Sequence, residues 1–123
     1  MAALGPLDVV VDCAGIIRRG VGLDPVEFSR VVDINLTGTL RVCAAARNGL
    51  RERRGCIINT ASMLSFFGGG LVPGYSASKG AVRLFAKSMA MECAMAGDKI
   101  RVNSVHPGII VTPIWTKAAT PAG

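Results

Sequence analysis

The fold is decided by residues 62–79, which read SMLSFFGGGLVPGYSASK. A serine ends an apolar run, a glycine-rich loop follows, and a tyrosine begins a helical pattern with a lysine four residues later. Side chains four residues apart share one face of a helix, so Tyr75 and Lys79 are predicted to be neighbours. An ammonium group about 4 Å from a phenol favours the phenolate by roughly 4 kcal/mol at an effective dielectric constant of about 20. We therefore expect Lys79 to lower the pKa of Tyr75 toward the range of a general base.

Two serines are candidates for a hydroxyl group beside this pair. The run over residues 55–62 predicts a buried strand, which would bring Ser62 to the carboxyl edge of a sheet. Open α/β sheets bind their ligands at that edge. Ser65 is the alternative, but the interval of thirteen residues between Ser62 and Tyr75 favours Ser62.

Three short runs rich in β-branched residues predict strands, at residues 7–11, 55–62 and 100–105. The first shows no alternation of apolar and polar residues, which is typical of a parallel strand covered on both faces. Longer helical patterns separate the three runs. The predicted fold class is therefore α/β, with a parallel sheet built from right-handed βαβ units.

The first helical pattern has a strong start signal, with Asp24 as N-cap, Pro25 at the first helical position and Glu27 closing a capping box. An apolar stripe follows, formed by Phe28, Val32, Leu36, Thr39 and Cys43. Asn35 lies inside this stripe, and a buried amide must find hydrogen-bond partners. Asn35 is expected either to bond a neighbouring carbonyl group or to serve the site.

The second helical pattern extends from Tyr75 to about Ala96, with Gly97 as its stop. It has two apolar faces, one formed by Val82, Phe85, Ala86, Met89 and Cys93, the other by Leu84, Met91 and Met95. A helix that is apolar on two sides lies inside a larger protein or meets a partner.

Composition predicts one soluble globular domain, because half of the 123 residues are apolar and 18% are charged. No apolar run approaches the roughly 20 residues of a membrane span, and residues 1–5 do not resemble the start of a secretory signal. We expect a cytoplasmic protein whose four cysteines, surrounded by apolar or small residues, are reduced structural thiols. The net charge of +6 is scattered and lacks interleaved aromatic residues, so nucleic acid is not an expected partner.

Together with Asp12-Cys13-Ala14-Gly15 after the first strand and residues 107–112 after the third, these motifs resemble the central and later part of the short-chain dehydrogenase/reductase family. The resemblance covers nearly the whole chain. It implies a partial Rossmann-like, doubly wound parallel sheet, and a homodimer or homotetramer formed through the helices that begin near Pro25 and Tyr75. The family's glycine-rich dinucleotide fingerprint has no counterpart here. We therefore expect residues 1–123 to be a truncated NAD(P)-binding domain with an open strand edge and an exposed apolar sheet face.

The resemblance implies an oxidoreductase that interconverts a secondary alcohol and a ketone with NAD or NADP. The catalytic residues it implies are Asn35, Ser62, Tyr75 and Lys79, where Asn35 anchors a proton relay. The cofactor-binding residues it implies are Asp12, Ala14, Gly15, Tyr75, Lys79, Pro107, Gly108, Ile110 and Thr112. The family usually has Asn-Asn-Ala-Gly where this chain has residues 12–15, so the first two positions depart from the pattern. His106 is interpreted as structural.

The substrate remains open between two classes. Residues 14–19 and 61–66 resemble dehydrogenases of sugar acids such as 2-deoxygluconate, for which Arg18 or Arg19 would pair with a carboxylate. Residues 101–112 with Trp115 resemble reductases of hydroxysteroids and alicyclic alcohols. An alternative to an enzyme is an inactive module that dimerises through its helices.

Overall fold

A computed structural model describes residues 5–119, with side chains over residues 5–116; residues 1–4, most of the segment considered for a secretory signal, and residues 120–123 lie outside it. The elements in chain order are β1 (Val9–Asp12), α1 (Pro25–Val32), a π-helical turn (Asp33–Thr37), α2 (Gly38–Arg53), β2 (Cys56–Thr60), a 3₁₀ turn (Met63–Ser65), α3 (Pro73–Met95), β3 (Arg101–Val105) and α4 (Pro113–Ala119). The strands form one parallel sheet in the order β1-β2-β3. The predicted α/β class is confirmed, and the arrangement is that of part of a Rossmann-like sheet.

The hydrophobic core lies between one face of the sheet and the helices α2 and α3. Strand register places Val10 beside Ile57 and Ile57 beside Val102, which forms a continuous apolar row across the three strands. The buried residues of this core are Cys43, Ala46, Leu50, Ile57, Ala86, Met89, Cys93, Ile100 and Val102. Complete burial of one such aliphatic side chain stabilises the fold by roughly 1.5–3 kcal/mol.

The other face of the sheet is open along β1 and β3. Val9, Val11 and Val105 are 54%, 56% and 45% exposed, because α2 and α3 both pack on the opposite side. The prediction that β1 is covered on both faces is therefore wrong for the part of the chain that the structure describes. The expectation of an exposed apolar sheet face is confirmed.

The start of α1 is capped as predicted, but not by a complete capping box. The Asp24 carboxylate accepts hydrogen bonds from the backbone N–H groups of Val26 at 2.8 Å and Glu27 at 3.3 Å. The backbone N–H of Asp24 instead donates to the Val21 carbonyl at 3.0 Å. The Glu27 side chain pairs with Arg18 at 3.3 Å, so it does not reach back to close the box.

The first part of the buried stripe, before Thr39, is displaced by one residue position from the predicted stripe. The inward-facing residues are Val31, Asn35, Thr39 and Cys43, whereas Phe28, Val32 and Leu36 are only partly buried or exposed. A π-helical turn closes i→i+5 hydrogen bonds and holds more residues per turn than an α-helix. A stripe drawn at 3.6 residues per turn therefore does not continue through residues 33–37.

The helix α3 is confirmed, with Pro73 in its first turn and Gly97 just beyond its end at a φ of +78°, where a side chain would be strained. Asp98 then accepts hydrogen bonds from Arg47 at 2.9 Å and Arg51 at 2.7 Å, which joins this turn to α2. One predicted apolar face is largely buried, and the other, formed by Leu84, Met91 and Met95, is exposed.

Within the described residues, every helix is too short or too polar to pass through a bilayer. The same residues hold no cluster of three or more His, Cys, Asp or Glu side chains suited to a metal ion. Cys43 and Cys93 are buried free thiols, as expected, but Cys13 is exposed, which corrects its assignment as a structural residue surrounded by apolar neighbours.

Candidate active site

A cleft with a volume of about 480 Å³ lies at the carboxyl edge of the sheet, where all three strands end. Several residues singled out in the sequence line it together: Gly15, Ser62, Tyr75, Lys79, Pro107, Gly108, Ile110 and Thr112. Asp12, Ala14 and Asn35 are not among the lining residues. The lining residues meet at the cleft because all strands of a parallel sheet end at the same edge.

Ser62 reaches the cleft two residues beyond the end of β2. Its backbone is extended, and its hydroxyl oxygen accepts a hydrogen bond from the Leu64 N–H at 3.1 Å as the N-cap of the 3₁₀ turn. Ser65, the alternative hydroxyl, instead lies 2.8 Å from the Nδ1 atom of His106 and does not line the cleft. The structure therefore places Ser62, and not Ser65, beside Tyr75.

Tyr75 lies in the first turn of α3, with its ring half-buried beside Ser62. Burial raises the pKa of the Tyr75 phenol above its ordinary value, and a hydrogen bond with the Ser62 side chain acts in the opposite direction. At neutral pH the side chain is therefore a phenol, with its proton available for transfer.

Lys79 is a buried ammonium on the same helix face. Its Nζ atom donates a hydrogen bond to the Thr60 carbonyl at 2.7 Å and lies 5.8 Å from the centre of the Tyr75 ring. Burial lowers the pKa of Lys79, while the negative charge of Asp12 raises it. The predicted proximity to Tyr75 is confirmed. The predicted fall in the Tyr75 pKa is wrong in this arrangement, because desolvation of the phenol outweighs other influences.

Asn35 is completely buried, and its side-chain amide is fully bonded. The Oδ1 atom accepts from the Ile16 N–H at 2.8 Å, and Nδ2 donates to the Ile16 carbonyl at 2.9 Å and to the Ser78 hydroxyl at 3.0 Å. The Ser78 hydroxyl in turn donates to the Tyr75 carbonyl at 2.8 Å. Asn35 thus joins the loop after β1 to the first turn of α3.

Gly15 allows this loop to lie against the network. A Cβ atom at this position would come within 3.2 Å of Asn35 Oδ1 and 3.5 Å of Lys79 Nζ. The first distance is tighter than an ordinary van der Waals contact, so a larger residue would displace the amide. The absence of a side chain therefore serves the Asn35–Lys79 arrangement as well as the approach of a ligand.

Asp12 is buried and Ala14 is exposed, and neither lines the cleft. One carboxylate oxygen of Asp12 accepts from the Ala14 N–H at 3.2 Å, and the other is buried without a hydrogen-bond partner among the described residues. Cys13, which was not singled out as a site residue, does line the cleft, and its sulfur lies 3.6 Å from the Thr60 hydroxyl.

The residues of the cleft fit the nicotinamide end of a dinucleotide. Gly15 permits close approach to the backbone, and the Lys79 ammonium and the Thr112 hydroxyl are polar groups that could bind a ribose and a carboxamide. Pro107 and Gly108 follow the end of β3 and line the same cleft. These residues are suited to the nicotinamide end of the cofactor only.

Most of the remaining wall of the cleft is apolar. Its large apolar side chains are Ile16, Ile17, Met63, Leu64, Ile110, Ile114 and Trp115. Arg18 is the one other charged lining residue besides Lys79 among the described residues, and its guanidinium is paired with Glu27 at 3.3 Å. Arg19 does not line the cleft.

Several residues of the site were not predicted from the sequence. Ser78 connects Asn35 to Tyr75, the Thr60 carbonyl holds Lys79, and His106 contacts the turn of Ser62. Ser78 occupies the helical position three residues after Tyr75, which is a signal that the sequence contained. The other two contacts depend on the packing of β2 against distant segments and have no local signature.

Comparison with known proteins agrees with this geometry. A family model described as short chain dehydrogenase matches residues 1–122. The 3-alpha-(or 20-beta)-hydroxysteroid dehydrogenase of Mycobacterium bovis is 41% identical over 93% of this chain and 44% of its own length. The cyclopentanol dehydrogenase of Comamonas sp. is 40% identical over 88% of this chain and 44% of its own length. The NADP-dependent (R)-specific alcohol dehydrogenase of Lentilactobacillus kefiri is 38% identical over 91% and 46%. The chain thus spans less than half the length of these relatives.

Proposed function

The chain belongs to the short chain dehydrogenase family, and we propose that it carries the catalytic part of an NAD(P)-dependent oxidoreductase that interconverts a secondary alcohol and a ketone. The observation that carries the proposal is the meeting of Ser62, Tyr75 and Lys79 in one cleft, although β2 and α3 deliver them separately. Three such groups around one space can bind an oxygen atom and exchange a proton with it.

Proton transfer is assigned to Tyr75. In ketone reduction its phenol donates the proton to the substrate oxygen, and in alcohol oxidation the phenolate takes the proton back. Ser62 donates a hydrogen bond to the same oxygen, because its own oxygen already accepts from the Leu64 N–H at 3.1 Å and its hydroxyl hydrogen can turn from the neighbouring Tyr75 oxygen to a substrate oxygen in the cleft.

Lys79 and Asn35 support this transfer. The Lys79 ammonium lies close enough to the Tyr75 ring to stabilise a phenolate as it forms, at 5.8 Å from the ring centre. Asn35 fixes Ile16 and Ser78 around it and in this way anchors the relay that returns a proton to the tyrosine. A nicotinamide cofactor, when bound, supplies or accepts the hydride. Gly15, Lys79, Pro107, Gly108, Ile110 and Thr112 would hold its nicotinamide end, with Asp12 and Ala14 supporting that wall.

An alicyclic or steroid-like alcohol is the substrate class that the cleft favours. The wall is mostly apolar, and the one cation suited to a substrate carboxylate, Arg18, is already paired with Glu27 among the described residues. A sugar acid would have to break that pair. The names of the hydroxysteroid and cyclopentanol dehydrogenases among the relatives point to the same class.

The direct test is oxidation of cyclopentanol, a 3-hydroxysteroid and 2-deoxygluconate by the purified chain with NAD⁺ or NADP⁺, followed by absorbance of the reduced cofactor. Tyr75→Phe is expected to lower kcat by roughly 10²–10⁴-fold, since the proton donor is lost. Ser88→Ala, on an exposed part of the same helix, is the matched control with unchanged kcat. Equal rates for the unaltered chain and Tyr75→Phe would overturn the assignment.

A second candidate function rests on the exposed face formed by Leu84, Met91 and Met95. We propose it as a surface for a second copy of the chain, whether or not the chain is active. Titration with NADH and NADPH, read by fluorescence, distinguishes the two functions. Saturable binding supports the enzyme, and dimerisation without binding supports an interaction module.

A further inference from the structure

His106 lies directly behind the turn that carries Ser62. Its Nδ1 atom is 2.8 Å from the Ser65 hydroxyl oxygen and 3.2 Å from the Ser62 carbonyl oxygen, and its Nε2 atom is 2.9 Å from the Ser104 hydroxyl oxygen. Resting on the function proposed above, we propose that His106 is a positioning residue that fixes the placement of the Ser62 hydroxyl through its Nδ1–H group.

The proposal specifies which ring nitrogen carries the proton. A carbonyl oxygen can only accept hydrogen bonds, so a bond to the Ser62 carbonyl places the hydrogen on Nδ1. The neutral imidazole then presents a lone pair at Nε2, which the Ser104 hydroxyl satisfies as donor. In the opposite tautomer, Nδ1 would accept from the Ser65 hydroxyl and Nε2–H would donate to Ser104, and the Ser62 carbonyl would receive no hydrogen from the ring.

His106 contacts the Ser62 carbonyl at the place where the ladder between β2 and β3 ends. The pairing continues beyond the strands, where the Ala61 N–H donates to the Val105 carbonyl at 2.8 Å and the Met63 N–H donates to the Pro107 carbonyl at 3.0 Å. Pro107 has no N–H group, so it returns no hydrogen bond to this ladder. The His106 imidazole reaches the neighbouring Ser62 carbonyl from its side chain.

In the Nδ1–H tautomer the Ser62 carbonyl accepts from two donors. One is the Nδ1–H group of His106, and the other is the Ser65 N–H at 2.9 Å. The same turn presents the Leu64 N–H to the Ser62 hydroxyl oxygen at 3.1 Å. Loss of the imidazole donor would leave the carbonyl held by the Ser65 N–H alone, and the Leu64 contact that orients the hydroxyl would weaken as the turn loosens. A small misplacement of a reacting group is sufficient to reduce turnover strongly.

His106 acts from outside the catalytic cleft. It does not line that cleft, but lines a second cavity of about 300 Å³ together with Phe66, Arg83 and Lys87. Its ring also packs against Phe66, with centroids 4.8 Å apart. The influence on Ser62 is therefore transmitted through the backbone, and no contact with substrate is involved.

Two amide variants, each of which can replace one ring nitrogen of His106, distinguish the contribution of Nδ1 from that of Nε2. In His106→Asn the side-chain amide N–H₂ occupies the place of Nδ1, and in His106→Gln it occupies the place of Nε2. We expect kcat to fall about tenfold in His106→Gln and to change less than about threefold in His106→Asn, the loss corresponding to one hydrogen bond. The KM for cofactor should remain constant in both. Lys87→Ala, in the same cavity, is the control with unchanged kcat.

Hydrogen exchange of the Leu64 amide, measured by NMR, gives a readout that does not depend on activity. Exchange should accelerate about tenfold in His106→Gln and remain unchanged in His106→Asn. If the unaltered chain oxidises no alcohol, the proposed function fails, and this exchange experiment alone decides the role of His106. Equal exchange in the two variants, or equal kcat, overturns the inference. Should neither variant fold, nitrogen shifts of the unaltered protein decide it, because a proton on Nε2 instead of Nδ1 contradicts the assignment.

Discussion

The two faces of the three-stranded sheet differ sharply. On one face, α2 and α3 bury Ile57 and Val102, and Asn35 of the π-helical turn joins Ser78 and Lys79 of α3 in the network of the site. On the other face the valines of β1 and β3 remain about half exposed in the part of the chain that the structure describes. The geometry of the candidate site thus depends on the covered face, and the open face contributes little to holding it.

The largest expected effect compares two adjacent isoleucines of β2. Ile57 is completely buried beneath the helices, and Ile58 points to the open face. Ile57→Ala should lower the free energy of unfolding by roughly 3–4 kcal/mol, and Ile58→Ala by about 1 kcal/mol, because only the first leaves a cavity in a packed core. Urea denaturation measures both. Equal losses would show that the two faces are equally covered in solution.

The second comparison concerns two asparagines. Asn35→Ala removes three side-chain hydrogen bonds and leaves Ile16 and Ser78 without their buried partner. We expect a loss of roughly 2–3 kcal/mol in the free energy of unfolding, together with reduced kcat. Asn103→Ala, an exposed position on β3, should change stability by less than about 0.5 kcal/mol. A loss of similar size at both positions would contradict the special role of Asn35.

The pH dependence of stability tests the burial of the site groups on the covered face. Burial lowers the pKa of Lys79 from 10.5, so the unfolded chain binds more protons than the folded chain just below that value. Lys79 therefore adds stability as the pH rises toward about 10, and this stability is lost as the pH falls through the folded pKa. Burial raises the pKa of Tyr75 above 10.0, so Tyr75 removes stability as the pH rises beyond that value.

The changes of stability with pH that Lys79 and Tyr75 cause have opposite signs, and each can be removed by its own substitution. Lys79→Met should abolish the rise in stability just below about pH 10, and Tyr75→Phe should abolish the fall above about pH 10. Urea unfolding at a series of pH values supplies the measurement. An unaltered curve for Lys79→Met would mean that the ammonium is solvated rather than buried.

The smallest effect on stability is expected on the open face. Val9→Thr and Val11→Thr, both more than half exposed, should change the free energy of unfolding by less than about 0.5 kcal/mol. They should nevertheless reduce binding of a hydrophobic dye and self-association, because an apolar sheet face attracts other apolar surfaces. Light scattering and dye fluorescence provide the readout. A large loss of stability would indicate that these valines are buried in solution.

Much of this architecture was predictable because it depends on local signals. The cap at Asp24, the stop at Gly97 and the three strands follow from residue type and from period. The stripe beyond α1 was not predictable in detail, since nothing in the residue pattern announces a π-helical turn at residues 33–37. The open face of β1 was not predictable from β1 alone, because it depends on which side both helices take.

The amino-acid sequence by itself determined that Tyr75 and Lys79 share a helix face, because an interval of four residues has one geometric meaning in an α-helix. It also determined that Ser62 follows a strand. Only the tertiary structure decided that Ser62 rather than Ser65 lines the cleft, that Arg18 is paired with Glu27, and that burial raises the Tyr75 pKa. Desolvation and ion pairing depend on segments far apart in the chain, and no local pattern of residues records which of them will meet.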